Sequence, residues 1–329
     1  MLILAGGLLV LLAALALLGL LLGTPQLQPG DLPTIFGGGG ERLARIVVTQ
    51  LRLPRVILGG VTGMMLALAG LLLQDSLRNA LAGPELLGVS AGASLVMTII
   101  TIFHVPVLLA WYPWLALAGG VLSGTVVLVS MRRLNDPTRL ILTGVAVGAL
   151  LSAAIVSIVV FGTQADVGLL YLFLLGSLAN RTWDYVWIVL PWAAVCIPVA
   201  LLLARPLNLL QLGDDLAEGL GLRVVRIRLL IVILSAALVA AVVAVCGPIG
   251  YIALAAPHLA RRLLGTPDAR QVLPISALIG AVLLLAADLV AKNLLDPIEL
   301  PVGIWTTLIG GPLLLLMLRR QLGGDRARR

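Results

Sequence analysis

Long apolar runs separated by short polar stretches extend along almost the whole chain. A helix needs roughly 20 predominantly apolar residues to cross the hydrocarbon core of a bilayer. Nine runs have about that length: 1–22, 56–73, 86–103, 114–131, 140–161, 186–204, 229–246, 272–291 and 303–318. A tenth run, 249–264, is interrupted by Pro257 and polar residues, but without it the flanking basic loops would fall on inconsistent sides of the membrane. The pattern therefore predicts an all-α polytopic membrane protein with ten transmembrane helices.

The composition agrees with a chain that lies mostly in lipid. Hydrophobic residues make up 60% of the 329 residues and charged residues only 11%, whereas soluble domains carry about 25% charged residues. The net charge of +7 comes from short basic clusters between the apolar runs, unlike the basic patch of a nucleic-acid-binding protein. Cys196 and Cys246 lie in apolar runs without a C-x-x-C pair, so neither a disulfide framework nor a zinc site is indicated.

The distribution of basic residues predicts the orientation, because loops rich in Lys and Arg are retained in the cytoplasm. With the N-terminus inside, sixteen arginines fall on the cytoplasmic side and six basic residues outside, which favours both termini in the cytoplasm. The first run could be a cleaved signal peptide, but it lacks a positive n-region and an A-x-A site, so we interpret it as helix 1. The Pro- and Gly-rich stretch 23–51 predicts an irregular external connection.

Motifs for covalent chemistry are missing from the sequence. A phosphate-binding P-loop requires a lysine directly after a glycine, yet Lys292, the only lysine, follows Ala291. Any ATP must therefore be hydrolysed by another polypeptide. His104 and His258 are far apart, and neither an H-E-x-x-H nor a G-x-S-x-G motif is present. We predict that the chain is not an enzyme and holds no metal.

One acidic residue, Asp288, lies well inside a predicted span. An intramembrane carboxylate can serve ion-coupled transport, in which several such groups form a relay. Because Lys292 follows at the i+4 position, a helix-end ion pair is the preferred interpretation. A secondary carrier that works without ATP stays open as the alternative.

The most polar internal segment, 205–228, lies between the sixth and seventh runs on the predicted cytoplasmic side. Leucines recur in it at intervals of three and four residues, acidic side chains occupy the rest of the surface, and glycines interrupt the helical pattern. The leucines are Leu209, Leu212, Leu216 and Leu220, the acidic residues are Asp214, Asp215 and Glu218, and the glycines are Gly213, Gly219 and Gly221. We predict one or two short helices outside the bilayer, which are either a partner-binding element or an ordinary interfacial connector.

Basic residues also stand on the predicted outer side, where they are disfavoured. Arg52 and Arg55 flank the start of the second helix, and Lys292 lies at the outer end of the ninth. Such residues can anchor helix ends at the lipid headgroups. They can equally receive an acidic partner that docks from outside, since complementary charge sets register and encounter rate.

Five sequence stretches, taken in order, carry a family resemblance. They are RLPR at 52–55, RNALAGPELLGVSAGA at 78–93, LGDDLAEGLG at 212–221, GPIGYIALAAPHLARRLLG at 247–265 and ELPVGIWTTLIGGP at 299–312. Together they resemble the FecCD family of bacterial ABC importer permeases, which includes the membrane subunits for vitamin B12, ferric siderophores and haem. The five blocks extend from the second helix to the tenth.

The resemblance implies a type II ABC importer permease fold, with one permease domain over 1–329 in the bacterial cytoplasmic membrane. The family dimerises, with a second copy or a paralogue, around an axial substrate path. Two separate ATPase subunits hold ATP and Mg²⁺, so this chain binds no cofactor, and a periplasmic or lipid-anchored binding protein delivers the substrate. Short helices at about 205–226 insert into the ATPases. The residues matched to this coupling role are Leu212, Gly213, Asp214, Asp215, Ala217, Glu218, Gly219, Leu220 and Gly221.

The resemblance also implies a docking site and a path. Arg52 and Arg55 match arginines that receive acidic residues of the binding protein, and Lys292 stands where a third basic residue is found, although it departs in type. The path is expected along the fifth helix, with a gate in the turn before it. The matching residues are Asp136, Pro137, Thr138, Gly144, Gly148 and Ser152. Small residues on one helix face could equally serve close helix packing.

The cargo is the least specific part of the resemblance. The stretch YLFLLGSL at 171–178 is more similar to the ferric siderophore and haem members than to the cobalamin member. Ferric siderophore is therefore the expected cargo, with haem next and cobalamin as a further alternative. The segments 88–92 and 247–250 each interrupt a helix in one half of the chain, which suits the inverted repeat of many transporters.

Overall fold

The computed structural model describes residues 1–130, 137–295 and 299–312. All regular elements in these ranges are helical, which confirms the predicted all-α class. The α-helices are α1 Leu2–Leu21, α2 Asp31–Phe36, α3 Arg42–Ile46, α4 Leu53–Ser76, α5 Val89–Ile102, α6 Tyr112–Ser130, α7 Pro137–Val159, α8 Gln164–Leu174, α9 Trp183–Leu202, α10 Ala204–Gln211, α11 Asp214–Gly219, α12 Val224–Cys246, α13 Ile252–Leu264, α14 Ala269–Asn293 and α15, 302–312.

Six helical stretches of the described chain are long and apolar enough to cross a bilayer: Leu2–Leu21, Arg42–Ser76, Leu142–Val159, Trp183–Leu202, Val224–Cys246 and Ala269–Asn293. Three shorter apolar helices, Val89–Ile102, Tyr112–Val127 and Gln164–Leu174, accompany them. The interrupted run at 249–264, which the sequence analysis counted as the tenth span, contains the 13-residue α13. This helix is too short to span the hydrocarbon core by itself.

The helices α4, α12 and α14 form the centre of the bundle. In Arg42–Ser76, 78% of the apolar stretch is buried, whereas only 6% of Leu142–Val159 is buried. Glycines explain how the central helices approach so closely, because they leave backbone in contact with backbone. A methyl group on Gly63 of α4 would overlap the carbonyl of Gly280 on α14, and one on Gly70 would overlap the carbonyl of Ala253 on α13.

The stretch 23–51 is more ordered than its Pro and Gly content predicts. It contains α2 and α3, and a π-helical turn at Val47–Arg52 joins α3 to α4. The helix that was expected to begin at residue 56 is therefore continuous from Arg42 to Ser76. Pro54 does not interrupt it, because it directly follows the π-helical turn, at the start of α4, where a proline displaces no hydrogen bond within α4.

Of the two predicted breaks, 247–250 separates two α-helices, whereas in 88–92 only Gly88 lies outside a helix and 89–92 belong to α5. Gly88, with φ +66°, ends a 3₁₀ turn and begins α5. The segment 247–251 is not helical and separates α12 from α13, with Gly247 at φ +72° and Tyr251 at φ +66°. The loop after α8 is anchored beside this second break, because Ser177 donates to the Cys246 carbonyl (2.7 Å) and Gly303 donates to the Gly176 carbonyl (3.1 Å).

Candidate functional site

The polar side chains collect at two ends of the bundle. The inner end holds the end of α4, the segment 204–228 and the start of α14; the outer end holds the start of α4, the end of α14 and the loop before α9. The sequence assigns the inner end to the cytoplasm and the outer end to the opposite side. The predicted coupling residues lie at the inner end, and the predicted docking residues lie at the outer end.

The predicted coupling segment forms two short helices, α10 and α11, as the leucine and glycine spacing predicted, and its coupling role stays a prediction. Gly213 separates them with φ +115°, and Gly221 follows α11 with φ +86°. These are conformations that glycine adopts without the steric cost of a Cβ atom. The two glycines therefore fix where α11 begins and where the chain turns back towards α12.

The helix α11 has two chemically different faces. Ala217 is fully buried against the rest of the molecule. Leu212, Leu216 and Leu220 are 56%, 62% and 63% exposed, and we call these three the leucine ridge. Adjacent exposed leucines at helical spacing are typical of a surface that another protein covers. Within this ridge region, Asp215, Glu218 and Gly219 are exposed as well.

Asp214 points in the opposite direction from the leucine ridge, towards the bundle. Its carboxylate accepts hydrogen bonds from Arg228 of α12 at 2.9 and 3.1 Å and from Arg78 at 3.2 Å. The Arg228 side chain is only 2% exposed and also donates to the Ser76 carbonyl at 3.4 Å. The start of α11 is thereby tied to α12 and to the end of α4. The sequence analysis did not identify Arg228, one of three closely spaced arginines.

A second polar network holds α13 and α4 together at the inner end. Arg261 contacts Asp75 at 2.7 Å and the Gln74 side-chain oxygen at 2.9 Å. The Gln74 amide nitrogen donates to the Ala253 carbonyl at 3.3 Å. These contacts connect the helix that follows the second break to the centre of the bundle.

The helix α10 is attached to the start of α14 through one asparagine. Asn208 donates to the Asp268 carboxylate at 2.6 Å and accepts from the Ala269 N–H at 2.7 Å. Asp268 caps α14 by accepting from the Arg270 N–H at 3.0 Å. The hydrogen bond from Asn208 holds the pKa of the Asp268 carboxyl below its usual range, and the bond from Arg270 acts in the same direction.

At the outer end, Arg55 joins three parts of the chain. Its guanidinium donates to both Asp288 oxygens, at 2.9 and 3.0 Å, and to Glu299 at 2.8 Å. The Arg55 and Asp288 side chains are 11% and 9% exposed, against 38% for Glu299. The fork of an arginine matches a carboxylate in this two-bond geometry. The group therefore links α4, α14 and the segment before α15.

The predicted ion pair between Asp288 and Lys292 is corrected by this geometry. Asp288 faces α4, where Arg55 can satisfy both carboxylate oxygens, whereas the Lys292 ammonium donates to the Leu22 carbonyl at 2.6 Å. The i+4 spacing placed the two residues on neighbouring positions of one helix. It could not show that a second helix supplies the better partner.

Arg52, like Arg55, has hydrogen-bond partners within the chain. It is 4% exposed and donates to the carbonyls of Leu20 and Pro25 at 2.7 Å and of Leu21 at 3.2 Å. The bonds to Leu20 and Leu21 satisfy carbonyls at the C-terminal end of α1, which have no partner within the helix. The structure thus gives both predicted docking arginines an internal role, and their role in docking stays a prediction.

Two cavities open among these outer residues. The smaller, about 400 Å³, is lined by Arg52, Arg55, Lys292 and Glu299. The larger, about 750 Å³, lies between α5, α8, α9 and the end of α12 and is lined by His104, Asp166, Arg181 and Tyr185 among others. Asn180 and Glu299 border both cavities. The sequence analysis noted no site at the larger cavity.

The predicted path residues do not share one environment. Gly144 is buried, and its carbonyl lies close to Gly88. Gly148 has open space around its α-carbon and Ser152 is exposed. Asp136 lies outside the described residues, and Pro137 and Thr138 are described only as the backbone of the first turn of α7. Gly144 packs against Gly88 within this chain, and path lining stays a prediction for all six residues.

Buried central helices, apolar outer helices and polar clusters at both ends are the features of a polytopic membrane permease. A profile of the FecCD transport family matches residues 10–320. The chain therefore belongs to the FecCD transport family, as its sequence motifs indicated.

Individual relatives agree with this assignment. The Fe(3+)-citrate import system permease protein YfmE of Bacillus subtilis (strain 168) is 38% identical over 94% of this chain and 92% of its own. The hemin transport system permease protein HmuU of Yersinia pestis is 41% identical over 83% of each chain. A solved metal-chelate type ABC transporter, in an inward-facing conformation, superposes with a TM-score of 0.82 at 30% identity. The superposition covers 96% of this chain and 98% of the other.

Proposed function

We propose that this chain is the membrane permease subunit of an ATP-driven importer that carries an iron chelate into the cytoplasm. The family match over residues 10–320 carries the proposal. The names of its relatives, which include a ferric citrate permease and a hemin permease, supply the chelate class. The exposed leucine ridge, backed by a charged contact to the bundle, supports the dependence on a partner ATPase.

The proposed assembly contains more than this chain. One permease domain with ten membrane crossings and cytoplasmic termini lies in the inner membrane and pairs with a second copy or a paralogue. Two ATPase subunits bind ATP and Mg²⁺ at the inner end, and a substrate-binding protein docks at the outer end. The permease itself binds no cofactor in this scheme. The peripheral position of α7 supports a path between two copies, because its surface is left uncovered within one chain.

The proposed mechanism is alternating access without covalent chemistry in the permease. ATP binding draws the ATPases together, and the leucine ridge moves with them. The ion pair between Asp214 and Arg228 then transmits the displacement of α11 to α12. The permease needs only two packings that differ by a few kcal/mol, since nucleotide can bias such an equilibrium through differential contacts.

Docking at the outer end is proposed to involve Arg52, Arg55 and Lys292. Because Arg55 already contacts Glu299 and Asp288, an acidic residue of the binding protein must replace an internal carboxylate. Glu299 is the replaceable one, since its side chain is 38% exposed while that of Asp288 is 9% exposed. Docking by exchange of carboxylates would leave the buried arginine neutralised in both states.

The experiment is ATP-dependent uptake in proteoliposomes that contain this chain, its genomically adjacent ATPase and its binding protein. Labelled ferric siderophore, ferric citrate, haem and cobalamin are compared. We expect uptake of an iron chelate that stops without ATP or without the binding protein. Cobalamin uptake would retain the importer and correct the cargo. Uptake by the chain alone would replace the proposal with an ion-coupled secondary carrier.

A further inference from the structure

The larger outer cavity contains a cation that the proposed docking and coupling roles do not use. Arg181 lies in the loop between α8 and α9 and lines this cavity of about 750 Å³. Cavities of roughly 300–1,000 Å³ are typical of small-molecule sites. Positive charge on the predicted outer side is disfavoured by topology, so an arginine there needs a physical reason.

The guanidinium of Arg181 is positioned but not neutralised by the described residues. It lies 4.7 Å from the centre of the Tyr185 ring, which orients the guanidinium by a cation–π contact. Its Nε is buried and has no hydrogen-bond partner among the described residues. A partly buried cation without a counter-ion is costly, and the cost falls when an anion binds.

The acidic residues that line the same cavity already have partners. Asp166 accepts from Thr163 at 2.6 Å and lies 3.0 Å from His104. Glu299 contacts Arg55 at 2.8 Å. Among the charged residues that the structure describes around this cavity, Arg181 is therefore the one that no described carboxylate neutralises.

The loop that carries Arg181 is held rigidly before any ligand arrives. Ser177 donates to the Cys246 carbonyl at 2.7 Å, and the Ala179 N–H donates to the Ser177 hydroxyl at 3.1 Å. Gly176 accepts from Gly303 at 3.1 Å. A residue on a segment anchored to two helices is pre-organised, which reduces the entropy lost on binding.

We propose that Arg181 is the anion-recognition residue of a substrate site in this outer cavity, where it binds a carboxylate of an iron chelate. The inference rests on the proposed import function and deepens it by naming the substrate class. The planar guanidinium can hold a carboxylate by two parallel hydrogen bonds. Ferric citrate and haem, through its propionates, both present such groups, whereas an uncharged ferric trihydroxamate does not.

The test uses the complete importer in proteoliposomes, with ferric citrate, haem and an uncharged ferric trihydroxamate as probes at saturating loaded binding protein. Arg181→Gln removes the charge, and Arg181→Lys keeps the charge but loses the planar fork. Arg42→Gln is the matched control, because Arg42 is exposed in α3 and lines neither outer cavity. Gel filtration and thermal unfolding of each variant report on folding.

We expect Arg181→Gln to lower the initial uptake rate of the carboxylate-bearing chelate roughly tenfold or more, with uptake of the trihydroxamate unchanged. Arg181→Lys should fall between the wild type and Arg181→Gln, and Arg42→Gln should match the wild type for every probe. Whether ferric citrate or haem shows the loss identifies the source of the carboxylate.

Equal losses for charged and uncharged chelates would make Arg181 a structural residue and overturn the inference, as would an unchanged rate for all probes. A wild-type importer that carries only the trihydroxamate would overturn the carboxylate site while retaining the import function. A wild-type importer that carries no iron chelate with ATP would overturn the import function itself. The wild-type results thus test the import function, and the variant results test the carboxylate site at Arg181.

Discussion

Asp214 links an exposed helix to the interior of the bundle. Its carboxylate forms ion pairs with two arginines from different parts of the chain, Arg78 and Arg228. The Arg228 side chain is only 2% exposed. A buried guanidinium requires a nearby negative charge, because its desolvation is otherwise uncompensated. The position of α11 is therefore determined by an electrostatic requirement of α12.

Asp214→Asn is expected to uncouple transport from ATP hydrolysis. Loss of a charge-assisted hydrogen bond to a buried group costs about 1–3 kcal/mol of interaction free energy. The contact between α11 and α12 is then weaker, and a displacement of α11 should move α12 less. The measurement is chelate taken up per ATP hydrolysed in proteoliposomes. We expect a several-fold fall, and a smaller fall for Arg78→Gln, because the Arg78 side chain is 45% exposed. Equal coupling in Asp214→Asn and wild type would contradict this role.

The lowered pKa of Asp268, at the inner end of the bundle, makes the stability of the protein depend on pH. Its folded pKa is depressed, chiefly by the hydrogen bond from Asn208, so its stabilisation is fully present above the unfolded value near 3.9. It is lost as the pH falls through that value towards the folded pKa. Asp268→Asn should therefore lose less thermal stability than the wild type between pH 7 and pH 3.5. Parallel losses in the two proteins would argue against this assignment.

The helices α4 and α14 pack through small residues rather than through interlocking large ones. Gly63 and Gly280 each face the other's carbonyl, so the two backbones are in direct contact. Such contact gains dispersion energy and weak hydrogen bonds that larger residues would prevent. The centre of the bundle therefore tolerates very little added volume.

Gly63→Ala is expected to destabilise the protein by about 1–3 kcal/mol, because the new methyl group must displace backbone. Gly60→Ala is the matched control on the same helix, since its methyl group would meet open space. That change should be neutral or slightly stabilising through helix propensity. Thermal unfolding in detergent measures both variants, and a Gly63→Ala protein as stable as Gly60→Ala would refute the close contact.

The element α11 is proposed to dock on an ATPase through its exposed side. Gly219 has open space around its α-carbon and its φ is not positive, so Gly219→Leu should fold normally and obstruct only a partner. We expect loss of ATP-dependent uptake with unchanged thermal stability. Gly7→Leu, also in open space, should leave uptake intact. Normal uptake in Gly219→Leu would remove this surface from the coupling site.

Elements were more predictable from the sequence than contacts. The apolar runs located the long helices, and the leucine and glycine spacing located α10 and α11, because both signals are local. The link between Asp288 and Arg55 spans 233 positions, and no local pattern specifies which helix supplies a partner. For the same reason Arg52 and Arg55 were expected at the surface, although tertiary packing encloses both.

Among the described helices that are long enough to cross a bilayer, the stretch in α7 has the smallest buried share, followed by α1 with 11%. Only 6% of Leu142–Val159 is buried, and a helix in that position faces either lipid or a second permease. Gly148 and Ser152 keep one side of it small. A water-filled path between two copies requires this side to be accessible from water, whereas lipid would exclude a charged reagent.

Ser152→Cys tests that arrangement in the assembled importer. We expect a water-soluble maleimide to label it, because the proposed path brings water to this face. Cys196 and Cys246 are buried and should contribute little background. Val195→Cys on α9 is the lipid-facing control, because the Val195 side chain is 64% exposed. This variant should stay unlabelled. Equal labelling of the two variants would leave no support for a path along α7.

The packing of α1 has a consequence for biosynthesis. This helix lies chiefly against α14, and its outer end is fastened by Arg52 and by the contact of Lys292 with Leu22. The ribosome makes α1 long before α14, so the first helix must wait in the bilayer without its main neighbour. Its sequence carries no charged residue between Leu2 and Leu21, which lets lipid solvate it meanwhile. Closure of the permease is thus a late step of membrane insertion, completed only when α14 packs against α1.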